Sequence, residues 1–344
     1  MLNKFFIKDK KIMNLTQFPR RNYLQGPTPI EAAPRFSKAL GGKVNVFIKR
    51  DDLLPGCAGG NKTRKLDFCI ADAIEKGADT IITCGAVQSN HCRLTLSWAV
   101  KEEMDCHLIL EERVPGSYKK DGSGNNFLFN LMGVKSTQVV SGGSDMMGEM
   151  EKLAKELEAQ GKKPYIIPGG ASNAIGATGY VACAQEIQQQ LFEQNINITD
   201  IVVPSGSAGT HAGVAVGMYG INSGITVSGI NVSKPKAVQE ENVYKLAKET
   251  AKRVGVRGEF PRDEITCFDG YVGAGYSLPT DSMVEAVKLL ARTEAILLDP
   301  VYSGKVMAGM IDLIRNDYFA PGANVLFLHT GGSPALYAYT DTFK

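Results

Sequence analysis

The chain has 344 residues, 44% hydrophobic and 22% charged, with a formal net charge of +2. That length gives a prior of about two domains and ample chain for a buried core. Lys and Arg are scattered among Asp and Glu, which leaves nucleic-acid binding without support. No run approaches a membrane span, and the Phe5-Phe6-Ile7 run near the start is too short for a secretion signal, so cytoplasmic residence with no membrane partner is expected.

In chain order, residues 44–49 predict a strand. A glycine turn follows, Gly59-Gly60-Asn61-Lys62-Thr63-Arg64-Lys65, which delivers one lysine to a helix start. Asn61 is a good N-cap type, and Leu66, Phe68, Cys69, Ile70 and Ala73 recur at spacings that give a helix one buried face. At the positive end of a helix dipole the Lys62 ammonium is disfavoured. Burial in a cleft would disfavour it further, leaving a neutral amine able to form a Schiff base. On this segment alone a solvated basic helix start, shared with Arg64 and Lys65, fits equally well.

Residues 78–84 read as a short buried strand, 85–87 as a turn, and Gln88-Ser89-Asn90-His91 as the entry to a helix running to about residue 101. A helix start just past the carboxyl end of a strand offers free N–H groups suited to a substrate carboxylate, and Ser89 and Asn90 add a hydroxyl and an amide there. Either could also be a plain N-cap. Strands at 107–111, 138–140 and 165–167 alternate with helices at 126–132 and 146–158, with a surface loop at 116–126. Such alternation indicates parallel sheets covered on both faces. Pro168-Gly169-Gly170 marks a crossing between domains, and 171–180 leads back through small residues. The expected fold is α/β with two domains: a small one at 65–167 inserted in a larger one formed by 1–64 and 168–344. A bound ligand belongs in the interdomain cleft, at the carboxyl ends of strands.

A further strand, Ile201-Val202-Val203-Pro204, runs into Ser205-Gly206-Ser207-Ala208-Gly209-Thr210-His211-Ala212-Gly213 and an apolar helix. Strand, small-residue loop and helix N-terminus together make a phosphate cradle. The loop lacks the lysine of a nucleoside-triphosphate loop, and no G-x-G-x-x-G occurs in the chain, which leaves a small phosphorylated cofactor. A tight αβ turn that binds nothing is the alternative. The seven cysteines form no C-x-x-C pair and read as reduced thiols, mostly in the core, with Cys57 in a loop as the exception. The four histidines show no metal-ligand spacing, so no metal is expected.

These stretches, together with Asp299-Pro300-Val301-Tyr302-Ser303-Gly304-Lys305 and His329-Thr330-Gly331-Gly332, closely resemble the D-cysteine desulfhydrase and 1-aminocyclopropane-1-carboxylate deaminase family. Its members are pyridoxal 5'-phosphate enzymes of the tryptophan-synthase-β type, fold type II, and the likeness runs from about residue 27 to residue 339. The resemblance implies that Lys62 holds the cofactor covalently and that Asn90 hydrogen-bonds the pyridoxal 3′-oxygen. It implies that Ser89 approaches the substrate carboxylate or its α-carbon region. Gly206, Ser207, Ala208, Gly209 and Thr210 would hold the phosphate with help from Lys65. Tyr276 and Tyr302 match the two tyrosines that line the substrate side, and a homodimer acting on a small amino acid is implied.

Two positions separate the branches. The deaminases resemble one another in having Glu where this chain has Ser303 and Leu where it has Thr330. A carboxylate beside the pyridine nitrogen favours its protonated form and a strong electron sink, whereas a hydroxyl leaves it neutral. Opening a cyclopropane needs the stronger sink; expelling a thiolate from the β-carbon does not. Ser303 and Thr330 therefore favour D-cysteine desulfhydration to pyruvate, hydrogen sulfide and ammonia. Deamination of the cyclopropane and release of sulfite from L-cysteate are the family alternatives. A NAD-binding oxidoreductase predicts the missing glycine fingerprint, and a non-catalytic binding protein would need Lys62 to be unreactive.

Overall fold

The computed structural model describes residues 13–344; the short run at residues 5–7 lies outside them. The first half of the chain gives β1 (Ile30–Ala32), α1 (Pro34–Ala39), β2 (Asn45–Lys49), α2 (Lys62–Glu75), β3 (Thr80–Ala86), α3 (Asn90–Lys101) and β4 (Asp105–Glu112). Then come α4 (Asn125–Leu131), β5 (Ser136–Ser141), α5 (Met146–Glu158), β6 (Pro164–Ile167), α6 (Ala174–Gln194) and β7 (Asp200–Ser205). The last part holds α7 (Gly209–Gly220), β8 (Thr226–Asn231), α8 (Lys236–Val254), β9 (Thr266–Phe268), α9 (Asp281–Glu294), α10 (Ser303–Arg315) and β10 (Asn324–Leu328).

The strands form two sheets. The six-stranded sheet has the order β1-β2-β10-β7-β8-β9, and the four-stranded sheet β5-β4-β3-β6. Every pairing is parallel except β1 with β2. The four-stranded sheet is built wholly between residues 80 and 167, and the larger sheet takes strands from the chain on both sides of that stretch. Central strands such as Ile201-Val202-Val203 are buried on both faces, as continuous apolar runs in parallel sheets require. No helix among the described residues is long and apolar enough to cross a membrane.

The residues expected to form a turn at 85–87 instead begin as the end of β3, which runs through Ala86 and pairs with Glu111 of β4. The parallel partner β4 carries the ladder past the glycine, whereas the pairing with β6 on the other side ends at Thr83. Asn61 does stand at the N-cap of α2, but its side chain makes no cap bond. That amide is turned to other partners, and they lie at the site.

Candidate active site

Three strand ends converge on the starts of four helices. The segment after β3 enters α3, the loop after β7 enters α7, the segment after β10 carries His329 to Gly332, and α2 and α10 begin nearby. Asn61 ties them together. Its Nδ2 donates to Thr210 Oγ1 at 3.0 Å, its backbone N–H donates to the Thr330 carbonyl at 3.1 Å, and its Oδ1 accepts from Lys62 Nζ at 2.7 Å. The lysine is thereby aimed by the residue before it. Burial pulls its ammonium down to about 8, Arg93 adds to the fall and Asp299 opposes it. An amine so placed loses its proton at a pH well below that of an ordinary lysine.

Lys62, Asn90, Gly206, Ser207, Ala208, Thr210, Tyr302 and Thr330 line one cleft. It adjoins a cavity of about 360 Å³ that shares Lys62 and Asn90 and adds Ser89 and Tyr276. The structure thus brings together nearly all the residues singled out in the sequence. Lys65, Gly209 and Ser303 line neither hollow, and Ser303 is fully buried at the start of α10. Its Oγ donates to Asp299 Oδ1 at 2.8 Å and accepts from the Asp299 N–H at 2.7 Å. Asp299 is itself buried and also accepts N–H groups from Val301, Tyr302 and Ser303. Ser89 serves as N-cap of α3, accepting from the Cys92 N–H at 3.1 Å, which leaves its hydroxyl proton to donate elsewhere.

The loop after β7 fits a phosphate on independent grounds. Ala208 holds φ +75, a left-handed conformation rare for a residue with a side chain, which opens the loop ahead of α7. A Cβ added at Gly209 would come within 2.9 Å of Lys65 Nζ and 2.8 Å of Ser172 Oγ, so only glycine lets the backbone and these two groups face one point. The N–H groups of Ser207 and Ala208 have no acceptor among the described residues. Lys65 is 1% exposed, donates to the Gly170 carbonyl at 3.0 Å and has no carboxylate within ion-pair distance among the described residues. Burial, with Lys62 adding to it, pulls its ammonium well below the usual range. A phosphate would repair both defects at once, supplying the counter-charge and the acceptors.

On the substrate side, the Tyr276 and Tyr302 rings pack edge to face at 5.7 Å and their hydroxyls hydrogen-bond each other. Lys62 Nζ lies 5.9 Å from the centre of the Tyr302 ring. Burial raises both phenols, so they stand protonated and can donate. Asn90 Oδ1 accepts from Asn125 Nδ2 at 2.9 Å, which turns the Asn90 amide donors away from Asn125. His91 lines the cavity with Nε2 2.7 Å from Thr83 Oγ1, and burial keeps its ring neutral. His329 is likewise neutral, donating from Nε2 to the Leu297 carbonyl at 2.9 Å and accepting the Gly331 N–H on Nδ1 at 3.2 Å.

Three participants escaped the sequence reading. Arg93 is buried and braces the turn before Lys62, donating to the Cys57 carbonyl, to the Gly59 carbonyl at 3.0 Å and to Asn125 Oδ1 at 2.7 Å. Its place one helical turn after Ser89 is the signal that could have found it. Ser172, after the glycine pair at 169–170, donates to Ser207 Oγ at 2.7 Å. Arg113 stands in the first position past β4, where open α/β sheets present ligand-binding residues.

Comparison with known proteins agrees with this geometry. The family model described as pyridoxal-phosphate dependent enzyme matches residues 22–331, and the chain belongs to that family. Its fold is the type II fold of pyridoxal-phosphate enzymes, and its cofactor is pyridoxal 5'-phosphate. A crystal structure described as an ACC deaminase homologue is 37% identical over 96% of this chain and 96% of its own, with a TM-score of 0.86. A fungal L-serine ammonia-lyase from Rhizomucor miehei is 20% identical over 93% of this chain and 98% of its own, with a TM-score of 0.65. A pyridoxal 5'-phosphate-dependent aspartate racemase is 18% identical over 89% and 90%, at TM-score 0.62. The last two share the fold.

Proposed function

We propose that this enzyme eliminates the β-substituent of a small amino acid, with D-cysteine as the substrate, giving pyruvate, hydrogen sulfide and ammonia. The observation that carries the reading is the arrangement around Lys62. A lysine whose ammonium titrates at about 8 faces the paired Tyr276 and Tyr302 hydroxyls across one cavity, with the anion loop beside it. The cofactor, bound through Lys62 and the loop from Gly206 to Thr210, supplies the electron sink that acidifies the α-carbon.

The chain's own residues do the rest. The Lys62 amine takes the α-proton, its lowered proton affinity leaving a larger share of free amine than an ordinary lysine has. Ser89 and the free N–H groups at the start of α3 hold the substrate carboxylate. Tyr276 and Tyr302, both protonated, donate toward the leaving sulfur. The identity of residue 303 sorts the branches. A serine here, committed to Asp299, would bring no carboxylate of its own to the cofactor ring, and the weaker sink that follows would suffice for a good leaving group.

The ACC deaminase homologue among the solved structures favours a second reading, deamination of the cyclopropane substrate. A panel assay of keto-acid release decides between them, using D-cysteine, L-cysteine, β-chloro-D-alanine, L-cysteate and 1-aminocyclopropane-1-carboxylate. D-cysteine and β-chloro-D-alanine are expected to react. Strong turnover of the cyclopropane substrate with Ser303 in place would overturn the branch assignment.

A further inference from the structure

The stretch from Asp299 to Lys305 contributes Tyr302 and Ser303 and ends on a lysine that the elimination as described does not use. Lys305 is fully buried near the start of α10 and lines neither hollow. Its ammonium donates to two backbone carbonyls, Val272 at 2.7 Å and Gly275 at 2.8 Å, and has no carboxylate within ion-pair distance among the described residues. Burying a cation on neutral acceptors alone costs stability, so its presence points to a role that an apolar side chain could not fill.

Both carbonyls belong to the connection between β9 and α9, residues 269–280, which carries Tyr276 and holds no helix or strand. The Gly275 carbonyl is half of the planar peptide unit that enters Tyr276, so fixing it fixes where that side chain starts. Ser277, the next residue, holds φ +66, a left-handed conformation that persists only where its surroundings impose it. One face of α10 does so. Lys305, Gly309 and Asp312 recur at i, i+4 and i+7, and the connection lies along them. Tyr271 donates from its hydroxyl to Asp312 Oδ2 at 2.6 Å, and its ring lies so close to Gly309 that an added Cβ would come within 2.8 Å of it. Tyr302 stands at the N-cap of the same helix. This one helix thus places both phenols, Tyr302 directly and Tyr276 through Lys305, and the two hydroxyls meet.

We propose that Lys305 is the positioning residue for Tyr276, holding the peptide before it so that the phenol reaches the departing group of the substrate. This rests on the β-elimination reading and adds to it the device that sets the proton donor. The chemistry divides accordingly. A sulfide departing from the β-carbon takes a proton from the tyrosine pair, whereas chloride departs without one. Losing the hold on Tyr276 therefore slows the first far more than the second.

The test uses the holoenzyme and two readouts. In the first, hydrogen exchange is followed by mass spectrometry on peptides covering 269–280 and 303–315. In Lys305→Met the connection is expected to exchange at least about tenfold faster, while α10 stays within about twofold of wild type. Retained visible cofactor absorption shows that the variant is folded. Lys305→Gln, which keeps two N–H donors on a shorter stem, should fall between wild type and Lys305→Met. Unchanged exchange over 269–280, or an equal loss of protection along α10, overturns the proposal. In the second, keto-acid release from D-cysteine is compared with release from β-chloro-D-alanine. Lys305→Met should lower kcat for D-cysteine about 10- to 100-fold, at least about tenfold more than for β-chloro-D-alanine, with KM within about threefold of wild type. In a Tyr276→Phe background the same change should cost D-cysteine turnover less than about threefold, because the hydroxyl it places is already gone. An equal loss on both substrates, or losses that simply multiply in the double variant, overturns the proposal. A wild-type enzyme inert toward both substrates would sink the β-elimination reading, while the exchange measurement would still judge Lys305.

Discussion

Two sides of one helix start carry cations of opposite kind. Arg64 points away from the cleft into a saturated network. It donates to Asp51 Oδ2 and Oδ1, both at 2.9 Å, and to Glu186 Oε2 at 2.7 Å. Asp51 also accepts from Thr28 and Tyr180, and Lys49 closes the set on Glu186, Gln190 and the Thr28 carbonyl. Burial pushes the Asp51 carboxyl up, but Arg64 and Lys49 outweigh it and hold it below the usual range. Lys62 and Lys65, on the cleft side, each have one neutral acceptor and no carboxylate among the described residues. A buried charge whose valences are filled holds architecture together, and one whose valences stay open marks where a ligand supplies the rest. Size is no guide: a hollow of about 600 Å³ lies on the Arg64 side, where Arg64 and Glu186 in its lining are already paired to each other.

The comparison breaks most sharply at Lys62. Lys62→Ala should abolish the borohydride-sensitive visible absorption and lower turnover at least about 10³-fold. The apoprotein should unfold at an unchanged or higher denaturant concentration, because a half-buried cation without a counter-charge has been removed. A variant that kept its colour and activity would remove the basis for the site. Arg64→Met should do the reverse. With Asp51 and Glu186 left uncompensated, stability is expected to fall by about 3–5 kcal/mol, read from denaturant midpoints of the apoprotein. A loss below about 1 kcal/mol would show that the network is not the anchor described.

Sequence reading reached the ligand side of this helix but not the structural side. Lys62 was legible because glycines, an amide and an apolar-periodic helix bracket it, and the anion loop because a buried strand runs straight into small residues. Arg64 and Lys65 look alike in sequence, as adjacent cations, and only rotation about the helix sends one to the cleft and the other to Asp51 and Glu186. Glu186 is 122 residues away, and no local pattern announces such a partner. Asn61 was legible as a helix start, yet its amide is turned to Thr210 and Lys62 because the two helix starts meet there. Arg113 was hidden by the strand before it, which reads as core up to its last residues.

Lys65 sharpens the contrast at intermediate size. Lys65→Met should weaken cofactor affinity about 10- to 100-fold, measured by titrating the apoprotein with pyridoxal 5'-phosphate, while stabilising the apoprotein itself. If affinity were unchanged, the phosphate would have to be held by the loop amides and hydroxyls alone.

The smallest effect is a slope, and its sign follows from Lys62. In the unfolded chain the lysine keeps its proton up to about 10.5, whereas in the folded apoprotein it releases it near 8, burial being the main cause. Between those two values the unfolded state binds more protons than the folded state. Stability therefore rises with pH across that window, and below 8 both states are protonated and the contribution is flat. Phenols and thiols raised by burial titrate at the upper end of the window with the opposite sign, so the quantity to measure is a difference. Apoprotein stability of wild type minus that of Lys62→Met, followed from pH 7 to 10, should climb once pH passes 8. A flat difference would mean that Lys62 is as well solvated as an ordinary surface lysine, and the contrast with Arg64 would then come down to pairing without burial.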